Sequence, residues 1–125
     1  MINAYIFEYL DKNDFRKKEK SLRMYNMLAY KKLMYTYYPE LGKGTFLGKE
    51  VSKNEKDKTV SYELELPTDE LFKKVYGPLI LHYTVYTEKY IILLTDIISK
   101  TNPEKDLFKI NLLNKLGKQK YKQPN

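Results

Sequence analysis

Few side chains in this sequence have the type and spacing that chemistry needs. There is no cysteine and a single histidine, His82. That removes disulfides, thiolate nucleophiles, zinc fingers and iron–sulfur clusters, along with any site built on two imidazoles. His82 stands inside the run LILHYTVY with no nucleophile supplied beside it, and it reads as a structural or half-exposed sheet histidine. Glu63 and Glu65 would share one strand face, a spacing that could serve paired acids, although alternation in a half-exposed strand produces the same pair. The run Leu41 to Lys49 packs three of the five glycines into positions 42, 44 and 48. It matches neither a Walker phosphate loop nor a dinucleotide fingerprint, so it reads as a tight turn, or as a small anion nest beside Lys43 and Lys49.

Cations are the remaining resource. The chain carries 23 Lys and Arg against 16 Asp and Glu, a net charge of +7. Residues 11 to 33 hold eight cations against three acids, and residues 100 to 125 hold seven against two, so both ends are basic and the middle is not. Only Arg16 and Arg23 are arginines, which suits point-charge contact with phosphates more than forked recognition of base edges. Within a helix predicted from about residue 14 to 36, Arg16, Lys20, Arg23 and Lys31 fall along one outward stripe, interrupted at Met27. The stripe is either a solvated face or a binding face. The thirteen tyrosines are equally two-sided: Tyr35, Tyr37, Tyr38, Tyr83, Tyr86 and Tyr90 could stack bases, and tyrosine also fills small cores. Lys, Asn, Ile and Tyr all have AT-rich codons, so base composition is a competing account of this bias.

The elements that position these residues follow from periodicity. Alternation over residues 4 to 10 predicts a short first strand. Phe15, Leu22, Tyr25, Ala29 and Leu33 mark the apolar face of the long helix, widened by Met24, Leu28 and Tyr35, and Pro39 is expected to stop it. Strands are predicted over residues 45 to 52 and 59 to 66, joined by a charged loop. A two-turn helix is expected over residues 69 to 76, capped by the hydroxyl of Thr68 and ended by Gly77 and Pro78. Residues 79 to 98 read as a hairpin whose second arm is apolar on both faces, as in a central strand. A last helix is expected from Pro103 to Leu116, before a basic flexible tail from 118 to 125.

A chain of 125 residues accommodates one domain, here residues 1 to 117, and no apolar run approaches the ~20 residues of a membrane span. The start, MINAYIFEYLDKND, does not look like a secretory signal, so a cytoplasmic location is expected. The fold class is α+β, with a small, strongly bent, mostly antiparallel sheet, a long basic helix and a C-terminal helix.

This order of elements, the stretch YELELPTDELFKKVYGPLILHYTVYTEKYIILLTDI at 62 to 97 and the Lys- and Tyr-rich composition together resemble the PrgU family. These are small regulators encoded on pheromone-inducible conjugative plasmids of Gram-positive bacteria. The resemblance implies a PUA-like β-barrel that binds RNA and restrains expression of plasmid conjugation or surface-protein genes. The expectation is therefore a non-enzymatic RNA-binding regulator without cofactor or metal. Arg16, Lys20, Arg23, Lys31, Lys43 and Lys49 are its candidate phosphate contacts. A metal-independent RelE-type endoribonuclease and a protein-binding adaptor are the alternatives. Replacing His82 by Ala is expected to leave function intact, measured as RNA affinity together with RNA cleavage; loss by orders of magnitude in a folded variant would revive the enzyme reading.

Overall fold

A computed structural model describes residues 5–100 as an α+β fold in which one open, mixed five-stranded sheet is covered by a helical layer. The strands are β1 (Ile6–Tyr9), β2 (Lys49–Asn54), β3 (Thr59–Leu66), β4 (Leu79–Tyr86) and β5 (Ile91–Ser99), ordered β1-β5-β4-β3-β2. The chain β2 to β5 is an antiparallel meander, whereas β1 joins β5 in parallel. β1 and β2 are the two edges and do not pair with each other. The sheet is therefore open among the described residues, where the resemblance implied a closed barrel. The expected C-terminal helix and basic tail lie outside the described residues.

Register explains why the core is one-sided. Side chains alternate across a strand, so aligned partners share a face. Val60, Val85 and Ile92 form one row, Tyr62, Tyr83 and Leu94 the next, and Leu64, Leu81 and Ile97 a third. Leu94 and Ile97 are an odd number apart and would face opposite ways in a regular strand. An irregularity at His82 and Tyr83 absorbs the extra residue, Thr95, whose hydroxyl donates to the His82 carbonyl at 2.8 Å. Both apolar side chains then reach the same core, with Phe15, Leu22, Ala29, Leu33 and Leu41 of the helical layer.

That layer departs from the single helix that periodicity predicts. α1 (Lys12–Tyr25) starts under the Asp11 carboxylate, which accepts from the Asp14 amide at 3.1 Å. It ends at Asn26, whose backbone leaves helical geometry (φ −144°, ψ 65°). The chain re-enters as α2 (Met27–Lys32), widens into a π-helical segment (Leu33–Tyr37) and finishes as α3 (Tyr38–Gly42). Pro39 does not stop the helix; it sits in the first turn of α3, where a missing N–H is tolerated. Of the predicted apolar face, Met24, Leu28 and Tyr35 stay exposed, because the break and the widened turn rotate them off the core.

Two other boundaries move. β2 begins at Lys49 instead of residue 45, and α4 (Glu70–Tyr76) is capped by Asp69, whose carboxylate accepts from the Phe72 amide at 2.7 Å, and not by Thr68. No helix among the described residues is long and apolar enough to cross a membrane.

Gly48 is the residue through which the loop meets the sheet. Its φ is +93°, and a Cβ there would lie 2.3 Å from the Glu63 carbonyl oxygen on β3. Gly48→Ala therefore meets both a left-handed backbone and a backbone atom that cannot yield. It is expected to lower unfolding free energy by about 1–3 kcal/mol in urea denaturation, and an unchanged midpoint would disprove the close approach.

Candidate nucleic-acid interface

The break at Asn26 makes a concave surface out of what would otherwise be a rod. In a straight helix Arg16 and Tyr30 would stand about 21 Å apart along the axis. Instead the chain bends at Asn26, and α1, α2 and the π-helical segment line a common cleft of about 530 Å³. Asn13, Arg16, Lys17, Glu19, Lys20 and Arg23 come from α1, Tyr30 from α2 and Met34 from the π-helical segment. The turn is held by the backbone: the Asn26 amide donates to the Leu22 carbonyl at 2.7 Å, and the Tyr30 amide donates to the Asn26 carbonyl at 3.0 Å.

Helical geometry decides which cations reach the cleft. Phe15, Glu19 and Leu22 are buried on the inner side, and the residue that follows each lies ~100° further round the helix. Arg16, Lys20 and Arg23 thereby turn to the flank that faces α2. Among the described residues Lys20 and Arg23 have no carboxylate partner, so their charges are uncompensated in the cleft. Arg16 is partly compensated, its Nε lying 3.5 Å from Glu19 Oε1.

Among the described residues Glu19 is the one carboxyl that lines the cleft, and it is 7% exposed. Tyr38 donates its hydroxyl to Glu19 Oε2 at 2.5 Å. Burial pushes the Glu19 pKa above its ordinary value, against the opposing hydrogen bond from Tyr38 and the charge of Arg16. Burial, then the charge of Glu19, pushes the Tyr38 phenol up as well, so it stays a donor. With one oxygen facing Tyr38 and the other facing Arg16, Glu19 braces the two helical arms and presents no free edge to a substrate hydroxyl. The cationic lining around it is of the sign that an anion would complement.

The π-helical segment is what brings Tyr38 to Glu19. In an α-helix residues 33 and 38 would point about 140° apart. The wider turn, in which the Tyr38 amide donates to the Leu33 carbonyl, brings both to the inner side, Leu33 into the core and Tyr38 against Phe7 and Glu19.

The six predicted cations are not brought together. Arg16, Lys20 and Arg23 line the cleft, and Lys31 is exposed on α2 outside its lining. Lys43 follows α3 and pairs with Glu40 at 3.6 Å, while Lys49 opens β2 at the far edge of the sheet. Asn13, Lys17, Glu19, Tyr30 and Met34 also line the cleft and are not among the residues that the sequence singles out for it. The Tyr30 and Met34 pair at a spacing of four was the available signal, and reading it needed the bend.

The other chemistry-bearing groups have separate surroundings. Glu63 pairs with Lys100 at 3.4 Å and Glu65 with Lys73 at 3.0 Å, so different lysines hold the two carboxylates. His82 stands in mid-β4, half-buried, opposite Glu63 and Asp96. No group of three or more His, Asp and Glu among the described residues could hold a metal. Of the tyrosines considered for stacking, Tyr83 is buried, stacks on Tyr62 at 5.1 Å and donates to the Leu47 carbonyl at 2.5 Å. Tyr35 and Tyr90 are exposed, and neither is part of the cleft lining.

The raised pKa of Glu19 predicts a pH signature. A carboxyl that binds its proton more tightly when folded contributes stability below its ordinary value of 4.5, and that contribution is lost as pH rises through the raised value. Glu19→Gln keeps an acceptor for Tyr38 and cannot ionise. Urea midpoints should therefore show the variant gaining on the parent as pH rises above about 4.5; a gap independent of pH would disprove the raised pKa.

Compared with known proteins, the chain matches no family model, no curated protein and no solved structure.

Proposed function

We propose that this chain is a non-enzymatic RNA-binding regulator that holds its partner by the phosphate backbone at the α1–α2 cleft. The observation that carries the reading is the convergence of Arg16, Lys20 and Arg23 on one concave surface, with Lys20 and Arg23 free of carboxylate partners among the described residues. Like-charged side chains repel, and a fold that gathers four of them, Lys17 included, in a cleft is best complemented by a polyanion. The net charge of +7 has the same sign and would steer that encounter. Action on mRNA in the cytoplasm, and restraint of plasmid conjugation or surface-protein genes through a PUA-like mode, is what the resemblance to the PrgU family adds.

One observation favours a second reading, the protein-binding adaptor. Met24, Met27 and Leu28 surround the break at Asn26 and are 58%, 47% and 56% exposed. Flexible apolar side chains at a bend suit an apolar partner.

Salt separates the two. Phosphate contacts release counterions, so RNA affinity should fall with salt by about 0.7 per contact in log K against log salt. Lys20→Gln combined with Arg23→Gln should weaken binding to all RNA sequences alike and flatten the slope by about 1.4, whereas Lys31→Gln alone should change affinity by no more than about twofold. RNA affinity that is absent, or indifferent to salt, would favour the adaptor.

A further inference from the structure

The α1–α2 cleft differs in character from one side to the other. The α1 side brings Arg16, Lys20 and Arg23, and the opposite side brings the half-buried Tyr30 ring and Met34. A simple inorganic anion would use the first side alone, and an apolar segment the second alone. A nucleotide has both halves, since its phosphate is anionic and its base is a flat ring that stacks on aromatic faces. The cleft is an open groove of about 530 Å³, wide enough to seat one nucleotide against its wall and to leave a strand free to continue on either side. A duplex keeps its bases stacked inside and would offer this cleft only phosphates. We propose that the cleft takes one unstacked nucleotide, its phosphate against Arg16, Lys20 and Arg23 and its base between Tyr30 and Met34. The inference rests on the RNA-binding reading and narrows it to unpaired RNA; a free nucleotide carries the same chemistry.

The test compares a single-stranded RNA 12-mer with the same sequence in a perfect duplex, by fluorescence anisotropy, and titrates adenosine 5′-monophosphate by calorimetry. The parent should prefer the single strand by about tenfold or more. Tyr30→Leu should lose that preference, weakening single-strand binding about tenfold while keeping duplex affinity and salt slope, and Tyr30→Phe should retain it. Lys20→Gln should weaken single strand and duplex together. Adenosine 5′-monophosphate binding as tightly as the 12-mer would identify the free nucleotide as the ligand, and much weaker binding would identify a strand. If Tyr30→Leu binds both RNAs as the parent does, or the parent has no preference for the single strand, the nucleotide pocket is overturned and the phosphate reading survives. If the folded parent binds neither RNA nor the mononucleotide, both fail.

Discussion

A buried ammonium needs carboxylates, and the setting of the helical layer on the sheet follows from satisfying one. Lys18 is 7% exposed, lies 3.3 Å from Asp14 on its own helix and is bonded to Asp96 on β5. Burial lowers its pKa, but the hydrogen bond and charge of Asp96, with the charge of Asp14, outweigh that and hold it above the ordinary lysine value. Removing both carboxylates would leave a desolvated charge, which is far costlier than losing a surface pair. The contact ties α1 to the strand edge beyond the point where β1 ends. It also fixes the rotation of α1: with Phe15, Glu19 and Leu22 turned inward alongside Lys18, the cation that follows each of the three is carried to the flank that faces α2.

What could be read from the chain and what could not divides along one line, local pattern against non-local consequence. The bounds of β3 and the hairpin of β4 with β5 are visible because period-two alternation of Val60, Tyr62, Leu64 and Leu66 reports a half-buried face directly. The long helix is visible as helix, but its bend is not. Asn26 is neither glycine nor proline, and its neighbours keep the apolar period going, so nothing local announces that α1 ends there. The π-helical segment is hidden for the same reason. Both decide the cleft: three of the predicted stripe reach it because of helical spacing, while Tyr30, Met34 and the Glu19–Tyr38 bond enter through the bend. The parallel pairing of β1 with β5 is also a tertiary fact, and with β1 taking one edge and β2 the other the sheet stays open.

The abundance of tyrosine is explained by structure more than by recognition. A tyrosine can put its ring in the core and its hydroxyl on a distant backbone group, and several here do so. Tyr83 reaches the Leu47 carbonyl and Tyr37 the Glu65 carbonyl at 3.4 Å, stitching the loop before β2 and the end of β3 to neighbouring elements. In a domain this small, with no disulfide to hold the loops, such rings supply both apolar area and polar anchoring.

The parallel edge has a consequence for the order in which the protein is made. Ile6 pairs with Ile91 and Tyr9 with Leu94, so the first of the described strands to be synthesised has its partner in the last of them. β3, β4 and β5 are sequential neighbours, joined through α4 and then through a tight turn, whereas docking β1 closes a loop that runs through all the described elements between them. During synthesis the apolar face of β1, with Phe7 and Tyr9, must therefore wait unpaired until the meander is complete. Its brevity, four residues with Glu8 at their centre, limits what that waiting strand can wrongly pair with.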